Sequence, residues 1–242
     1  MDSLNLPVSV KDHPHWRVNF RPLTYPLEPI ALSECLHFVQ RAQVRLRGWY
    51  YPHISNRDSE RTLGENYIAY WSTFQDHVEY WRFYQSTQFI HLFVIEEAVN
   101  EMWDQQLRSH AVSELFESLS REDIPAFFSI DNFIYTVTEI FEFAARLASA
   151  GLYSNGINIS IRLNRIANFA LSDSNDRVMN HLYKATEPSL SKSWEYRQDE
   201  LVSSVPDVTL NAVVWFFERF GWFRPPRDSF KTSIENYLAG RR

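Results

Sequence analysis

Arginine and aromatic residues alternate along two stretches of this chain, Val44–Tyr51 and Tyr80–Ser86. A β-strand turns every second side chain to the same side, so each stretch, as a strand, would present arginines and rings together. Guanidinium groups pair with carboxylates and phosphates and stack on aromatic rings. We predict that the two strands share a sheet and form one surface that binds a ligand or a partner. Its candidate residues are Arg45, Arg47, Trp49, Arg82 and Tyr84, together with His53, which follows the end of the first strand.

Two other reactive residues are interpreted as parts of the core. His91 lies inside an apolar run, where a histidine with satisfied hydrogen bonds is favoured over a pocket histidine whose pKa burial would lower. Cys35 falls on the apolar face of a predicted helix, where cysteine acts as a small packing residue. Because the chain has a single cysteine, it has neither an intramolecular disulfide nor a multi-cysteine zinc site, and it fits a reducing compartment.

Established catalytic motifs are missing from the sequence. It contains no P-loop, no dinucleotide fingerprint, no HExxH and no GxSxG. His77 and Glu79 have the H-x-E spacing of a zinc deaminase, but the required cysteine pair is absent, so a solvated loop leading into a strand is the favoured interpretation. The acidic residues between Glu96 and Asp123 are interpreted as solvated charge on a helix. We therefore expect no metal site and no cofactor, and we favour a protein that is not an enzyme.

Composition narrows the functional classes further. The net charge is −6, which argues against a protein coated by nucleic acid but allows a local basic patch. Four of the 24 basic residues are lysines, so arginine carries nearly all the positive charge. The longest apolar run is far shorter than the roughly 20 residues that a membrane-spanning helix needs. No secretory signal is recognisable at the N-terminus. We expect a cytoplasmic protein that does not enter a membrane.

The order of predicted elements indicates an α+β fold with a mainly antiparallel sheet and flanking amphipathic helices. We divide the chain into three segments, which can also form one domain. Residues 1–30 are extended and proline-rich, with an edge strand at Val18–Leu23. Residues 31–125 form an aromatic-rich antiparallel sheet with an acidic helix. Residues 126–242 form a helix–strand–strand–helix unit packed on the second segment.

Hydrophobic spacing gives the individual elements of the last segment. Apolar residues at helical spacing predict a helix over Asp131–Ala150, capped by Ser129 or Asp131 and ended by Gly151. Strict alternation over Ile157–Asn164 predicts a strand, which we expect to continue through an irregularity near Arg165 to Leu171. Further elements are predicted as a helix at 31–42, a strand at Trp194–Val202 that pairs with the first, a helix opened by a Ser204–Asp207 capping box, and a terminal helix at Ser229–Leu238.

Three stretches, VRLRGWYYPHI, EYWRFYQSTQFIHLF and TEIFEFAARLA, resemble a segment found in uncharacterised bacterial proteins. In those proteins the segment often follows a Schlafen-type (AlbA-like) domain associated with nucleotide or nucleic-acid binding. The resemblance covers most of this chain, which has no room for the accompanying domain. An acidic residue is common in the family pattern where this chain has Tyr50. The resemblance implies an accessory or sensing module and supplies no catalytic residues.

Three functional hypotheses follow. The first is a non-catalytic binding, assembly or sensor module that acts with a partner protein or as a homo-oligomer. The second is nucleic-acid or nucleotide binding through the arginine and aromatic sheet face. The third is an enzyme with an unfamiliar site, which a deep pocket joining His53 or His91 to an acid would favour.

Overall fold

A computed structural model describes residues 8–55, 57, 60–111, 120–172 and 181–241. These residues form eight helices and nine strands, so the predicted α+β class is confirmed. The helices are α1 (Val8–Asp12), α2 (Leu32–Ala42), α3 (Glu96–Val99), α4 (Glu101–Ala111), α5 (Ile130–Ser149), α6 (Gln198–Ser203), α7 (Val205–Arg219) and α8 (Arg227–Leu238). The strands are β1 (His15–Pro22), β2 (Arg61–Leu63), β3 (Tyr67–Phe74), β4 (His77–Tyr84), β5 (Phe89–Val94), β6 (Phe127–Ser129), β7 (Ile157–Asn164), β8 (Ala170–Ser172) and β9 (Ser189–Tyr196).

Seven strands make one antiparallel sheet in the order β2-β3-β4-β5-β1-β7-β9, and β6 pairs with β8 in a small parallel ladder. One face of the large sheet, called the inner face here, packs on α5. The ring of Trp16 in β1 lies 4.9 Å from that of Phe133 in α5, and the ring of Phe89 in β5 lies 5.0 Å from that of Phe143. The opposite, outer face is partly covered near β4 and β5 by α1, whose Val10 is buried.

The alternating pattern at β7 explains its position in the sheet. Ile157, Ile159, Ile161 and Leu163 are fully buried, and the polar residues between them lie on the outer face. Helix α5 forms as predicted, because its apolar stripe meets the sheet and the hydroxyl of Ser129 accepts a hydrogen bond from the backbone N–H of Asn132. Cys35 is fully buried on α2, in agreement with the packing interpretation.

The predicted strand at Val44–Tyr51 is wrong. Val44 and Tyr51 bond to each other through both backbone pairs, at 2.9 and 2.8 Å, and the residues between them form a loop. Gly48 has a φ of +101°, which glycine adopts without strain, so the chain turns back where alternation suggested a straight strand. We call residues 45–50 the arginine loop.

A strand forms where Val18–Leu23 was predicted to be an edge strand, but its edge position is wrong, because β1 lies in the middle of the sheet between β5 and β7. Its inward side chains, Trp16, Val18 and Phe20, are all buried. The prolines of the first segment flank the strand, and Pro22 ends it, so none interrupts the hydrogen bonds of its interior. One sheet thus takes strands from all three predicted segments.

Three features of the C-terminal half differ from prediction: the end of one strand, the bounds of another strand and a helix cap. The strand from Ile157 ends at Asn164, and Ala170–Ser172 belongs to the small parallel ladder instead. The strand predicted at Trp194–Val202 runs from Ser189 to Tyr196 and pairs with β7, while α6 occupies the remainder. Ser204 makes no side-chain capping bond, so the predicted capping box is absent.

The acidic stretch forms α3 and α4, but not as a solvated face throughout. Glu97 and Asp104 are buried, which corrects the solvated-charge interpretation for those two residues. The helical spacing of Leu107, Ala111, Leu115 and Leu119 predicts an apolar side of this helix, and Leu107 is buried. The predicted positions Leu115 and Leu119 lie outside the described residues.

Candidate functional site

The arginine loop carries Arg47 into the interior, where it forms an ion pair with α5. The Nη2 atom of Arg47 lies 2.5 Å from Oε2 of Glu139, whose side chain is completely buried. Arg47 also donates to the side-chain oxygen of Asn132. The second oxygen of Glu139 accepts a hydrogen bond of 2.8 Å from the hydroxyl of Tyr237 in α8. Burial disfavours the charged guanidinium, but Glu139 outweighs burial and raises the pKa of Arg47 above its ordinary value.

A second acid lies against the start of α5. Asn132 donates through Nδ2 to Oε1 of Glu97 at 2.6 Å. Burial raises the pKa of the Glu97 carboxyl, and the hydrogen bond from Asn132 opposes that rise without cancelling it. The Ser129 cap fixes the first turn of α5 and so positions Asn132 between Arg47 and Glu97.

Glu79 lies on the inner face of β4 and is the centre of a third set of contacts. Its Oε2 lies 2.9 Å from Nε2 of His91 on the neighbouring strand β5, and its Oε1 accepts a 2.9 Å bond from the backbone N–H of His53. Burial raises the pKa of the Glu79 carboxyl, but contacts with His77 and His91 outweigh burial and lower that pKa to about 2. Glu79 is therefore an ionised, buried carboxylate at neutral pH.

His77, the first residue of β4, bridges two carboxylates. Its Nδ1 lies 2.6 Å from Oε1 of Glu96, and its Nε2 lies 3.5 Å from Oε2 of Glu79. Burial lowers the pKa of His77, but these two acids outweigh burial and raise it to about 10. At neutral pH the bridge is an imidazolium between two carboxylates.

His91 and Tyr51 each have a buried polar atom without a partner among the described residues: Nδ1 of His91 and the hydroxyl of Tyr51. Burial lowers the pKa of His91, although Glu79 opposes it, so the ring is neutral at pH 7. Since a neutral ring that donates from Nε2 to Glu79 has its lone pair on Nδ1, this atom is an acceptor. The two rings are 5.0 Å apart. His91 is buried as the core interpretation expects, but half of its hydrogen-bonding capacity faces no protein partner.

Most of these groups line one small cavity of about 30 Å³, enough for a single water molecule, and Glu139 is joined to them through Arg47. We call them the polar cluster. Its members are Arg47, Tyr51, His77, Glu79, His91, Glu96, Glu97, Asn132 and Glu139. Aromatic side chains, including Trp16, Trp49 and Phe93, form the rest of the cavity wall.

A larger cleft of about 430 Å³ adjoins the cavity, and Trp49 and His77 line both spaces. The cleft lies at the β3–β4 end of the sheet. It is bordered by two exposed rings, with Trp49 45% and Phe74 68% accessible. The remaining described residues around it are His53, Ser55, Arg57, Glu60, Ser72 and Thr73.

The structure separates the residues that were predicted to share one surface. Arg47, Trp49 and His53 meet at the cavity and the cleft. Arg45 is exposed and lies over the ring of Tyr50 at 5.2 Å. Arg82 and Tyr84 lie on the outer face, where Nη1 of Arg82 donates to the Tyr84 hydroxyl at 3.0 Å. The predicted common surface is therefore wrong, because the arginine loop folds toward α5 while Arg82 points away from it.

Sequence reasoning missed the acids of the polar cluster and His77. One signal was available on α5, where Asn132, Thr136 and Glu139 follow each other at i, i+4 and i+7, a polar line beside the buried apolar residues of the helix. A second was the alternation in β4, which places Glu79 on the same side as Trp81 and Phe83. Both patterns put a carboxylate where only apolar residues are needed for packing.

Comparisons with protein-family models, curated proteins and solved structures gave no match to this chain. Within the described residues, no group of three or more His, Cys, Asp or Glu side chains is arranged to hold a metal ion. No helix in that part of the chain is both long and apolar enough to cross a bilayer.

Proposed function

We propose that this chain is a sensing module that binds a small organic molecule in the cleft between Trp49 and Phe74. The observation that supports it is the continuity of two spaces: a cleft of ligand size and a polar cavity that share Trp49 and His77. Small-molecule sites combine mainly apolar walls with a few fixed polar groups, and this pair of spaces has that composition.

The two exposed rings define the body of the ligand. Two exposed aromatic side chains in the lining of one cleft favour a flat, apolar or aromatic body, because contact with it removes both rings from water. His77 lies where the cleft meets the cavity, and because both of its ring nitrogens face carboxylates, it offers the ligand the surface of a fixed ring and no free donor.

The polar cluster holds this recognition point in place. Glu96 and Glu79 fix the ring of His77, and the guanidinium of Arg47 lies 5.9 Å from the ring of Trp49. A charged group that is held by buried partners does not have to be ordered when the ligand arrives, so less conformational entropy is lost on binding.

The test is retention of small molecules from a metabolite extract of the native host, measured by native mass spectrometry. Wild-type protein should retain a species of discrete mass. Phe74→Ala should lose it by at least tenfold while the free energy of unfolding changes by less than about 0.5 kcal/mol, because Phe74 is largely exposed.

Phe223→Ala is the matched control, since Phe223 is 78% exposed and lies outside the cleft. This variant should retain the ligand as wild type does. Failure of wild-type protein to retain any species, or equal loss in the two variants, would contradict the proposal.

An enzyme that transfers a proton is a second candidate, favoured by the free acceptor on His91. A Glu–His pair with an unpartnered imidazole nitrogen beside a tyrosine hydroxyl is a suitable arrangement for general acid–base catalysis. Turnover of a component of the same extract by wild type and its loss in His91→Asn would favour this candidate. Binding without turnover would favour the sensing module.

Association with a partner protein or with a second copy of the chain stays a prediction. The acidic helix that motivated it is less available than expected, because Glu97 and Asp104 are buried. Light scattering coupled to size exclusion tests self-association directly, and a monomer with no retained protein partner would count against both forms of it.

A further inference from the structure

The outer face of the sheet carries four arginines on three strands, which we call the outer arginine patch. The neighbouring side chains of β1, Trp16, Val18 and Phe20, point into the core, so the alternate positions of β1 lie on the outer face. The same reasoning applies to β4 and β7. The patch consists of Arg17, Arg21, Arg82 and Arg162. It shares no residue with the cleft or the polar cluster.

Two of these arginines face each other directly. Arg17 of β1 is paired in register with Arg162 of β7, and both are exposed. Like charges at opposed positions of an antiparallel pair destabilise the sheet. Nη2 of Arg162 donates to the hydroxyl of Ser189, a neutral partner that leaves this repulsion in place.

The surrounding charges are positive as well. Burial lowers the pKa of His15, and the positive charges of Arg165, Arg17 and Arg162 lower it further. Among the described outer-face residues of strands β1, β7 and β9, the acidic residue is Glu195 on β9. It lies two strands from Arg21 and accepts a hydrogen bond from the side chain of Asn158. The face therefore favours an anionic ligand that neutralises several arginines together.

Aromatic rings continue the patch toward β3. The guanidinium of Arg82 lies 4.0 Å from the centre of the Tyr67 ring and donates to the hydroxyls of Tyr80 and Tyr84. Because Arg82 is fixed by these contacts and remains partly exposed, its planar group can stack on a further ring.

We propose that a single strand of nucleic acid crosses the outer face, with phosphates at Arg17, Arg21 and Arg162 and a base stacked near Arg82 and Tyr67. Guanidinium groups beside stacking rings are the combination that recognises single strands, and α1 covers this face only in part, near β4 and β5. An acidic peptide would use the arginines but not the rings. A membrane surface would need protruding apolar side chains, and the exposed large hydrophobic residues of β2 and β3, Leu63 and Phe74, lie on the opposite, inner side of the sheet.

The experiment is a fluorescence-anisotropy titration of the full chain with labelled oligo-dT and oligo-U at two salt concentrations. Three phosphate contacts to a single strand predict that affinity falls about 20-fold for a fourfold rise in salt. The variant Arg17→Gln/Arg21→Gln/Arg162→Gln should bind at least tenfold more weakly at low salt and should show a smaller salt dependence.

A control with the same change in net charge separates the patch from general electrostatics. Arg41→Gln/Arg197→Gln/Arg227→Gln removes three exposed arginines elsewhere and should keep the affinity within about twofold of wild type. In addition, Arg17→Gln alone should raise Tm by about 1–2 °C, because it removes one of two opposed like charges.

Four outcomes would overturn the proposal: no binding of either oligonucleotide up to about 100 µM protein, equal loss in the two triple variants, unchanged binding in the patch variant, or binding to anionic vesicles or poly-glutamate in place of oligonucleotide. A fall in Tm for Arg17→Gln would also overturn the proposal. It would show that the opposed arginines do not destabilise the sheet, so an anionic ligand would have no repulsion between them to relieve.

Discussion

Along β7 the inner face of the sheet consists of isoleucine and leucine, whereas along β4 and β5 the same face carries His77, Glu79 and His91. Both halves belong to the layer that packs on α5. The apolar half demonstrates that helix and sheet can be packed here with aliphatic and aromatic side chains, without buried charges. Taking charges out of water costs free energy that a buried ion pair often does no more than offset. We infer that the polar half is placed for binding and that the apolar half is placed for stability.

The largest expected effect is the loss of one partner from the buried ion pair. Glu139→Ala removes the carboxylate that pairs with the guanidinium of Arg47 and accepts a hydrogen bond from Tyr237. We expect the free energy of unfolding to fall by about 3–5 kcal/mol, because an unpaired buried charge remains. Urea unfolding monitored by circular dichroism measures it. A loss below about 1 kcal/mol would contradict the buried ion pair.

A smaller effect is expected from the His77 bridge, and it depends on pH. The pKa of His77 in the folded chain is about 10, above its unfolded value of about 6.5, so its stabilisation is complete below pH 6.5 and disappears as pH rises through 10. We expect wild type to lose about 2 kcal/mol between these limits in excess of His77→Gln. The measurement is the free energy of unfolding of both proteins from pH 6 to about 10.5.

The sign at low pH is the opposite for Glu79. Its folded pKa of about 2 lies below the ordinary value of 4.5, so the stabilisation is present above pH 4.5 and is lost as pH falls toward 2. The outcome against the His77 prediction is a free energy of unfolding that changes in parallel for wild type and His77→Gln in the alkaline range, because the imidazolium bridge would then contribute nothing to stability.

The smallest effect is expected in the apolar half. Ile161→Val removes one methylene group at a fully buried position, which should cost about 1 kcal/mol and leave small-molecule retention unchanged. Urea unfolding and native mass spectrometry measure the two quantities. Loss of the ligand in this variant would show that the two halves of the inner face are not separate in function.

The same contrast explains what the sequence could predict. Regular periodicity marks β7 and α5, where every second or every third and fourth residue is apolar; α5 forms as predicted, and β7 forms over the alternating part of its prediction, Ile157–Asn164. The arginine loop alternates as a strand would, but Gly48 and the mutual pairing of Val44 and Tyr51 fold it back. Local alternation does not distinguish a strand from a loop that folds back, because the loop is held by the contact of Arg47 with Glu139, about 90 residues later in the chain.

The position of β1 was equally hidden, for a different reason. β1 lies near the start of the chain, yet it pairs with β5 and β7, which are about 75 and 145 residues away in the sequence. Proline density indicated an irregular surface segment, and only tertiary pairing places His15–Pro22 in the centre. The polar cluster depends on that placement, since Trp16 of β1 forms part of the cavity wall.

The most direct test of the central claim replaces the ion pair and its hydroxyl partner together by apolar groups: Arg47→Met/Glu139→Leu/Tyr237→Phe. Free energy of unfolding and ligand retention are measured on the same preparation. We predict stability within about 2 kcal/mol of wild type, far above that of Glu139→Ala, because no unpaired charge is left, and loss of the ligand by at least tenfold. A triple variant as unstable as Glu139→Ala, or one that keeps the ligand, would contradict the division between a half for stability and a half for binding.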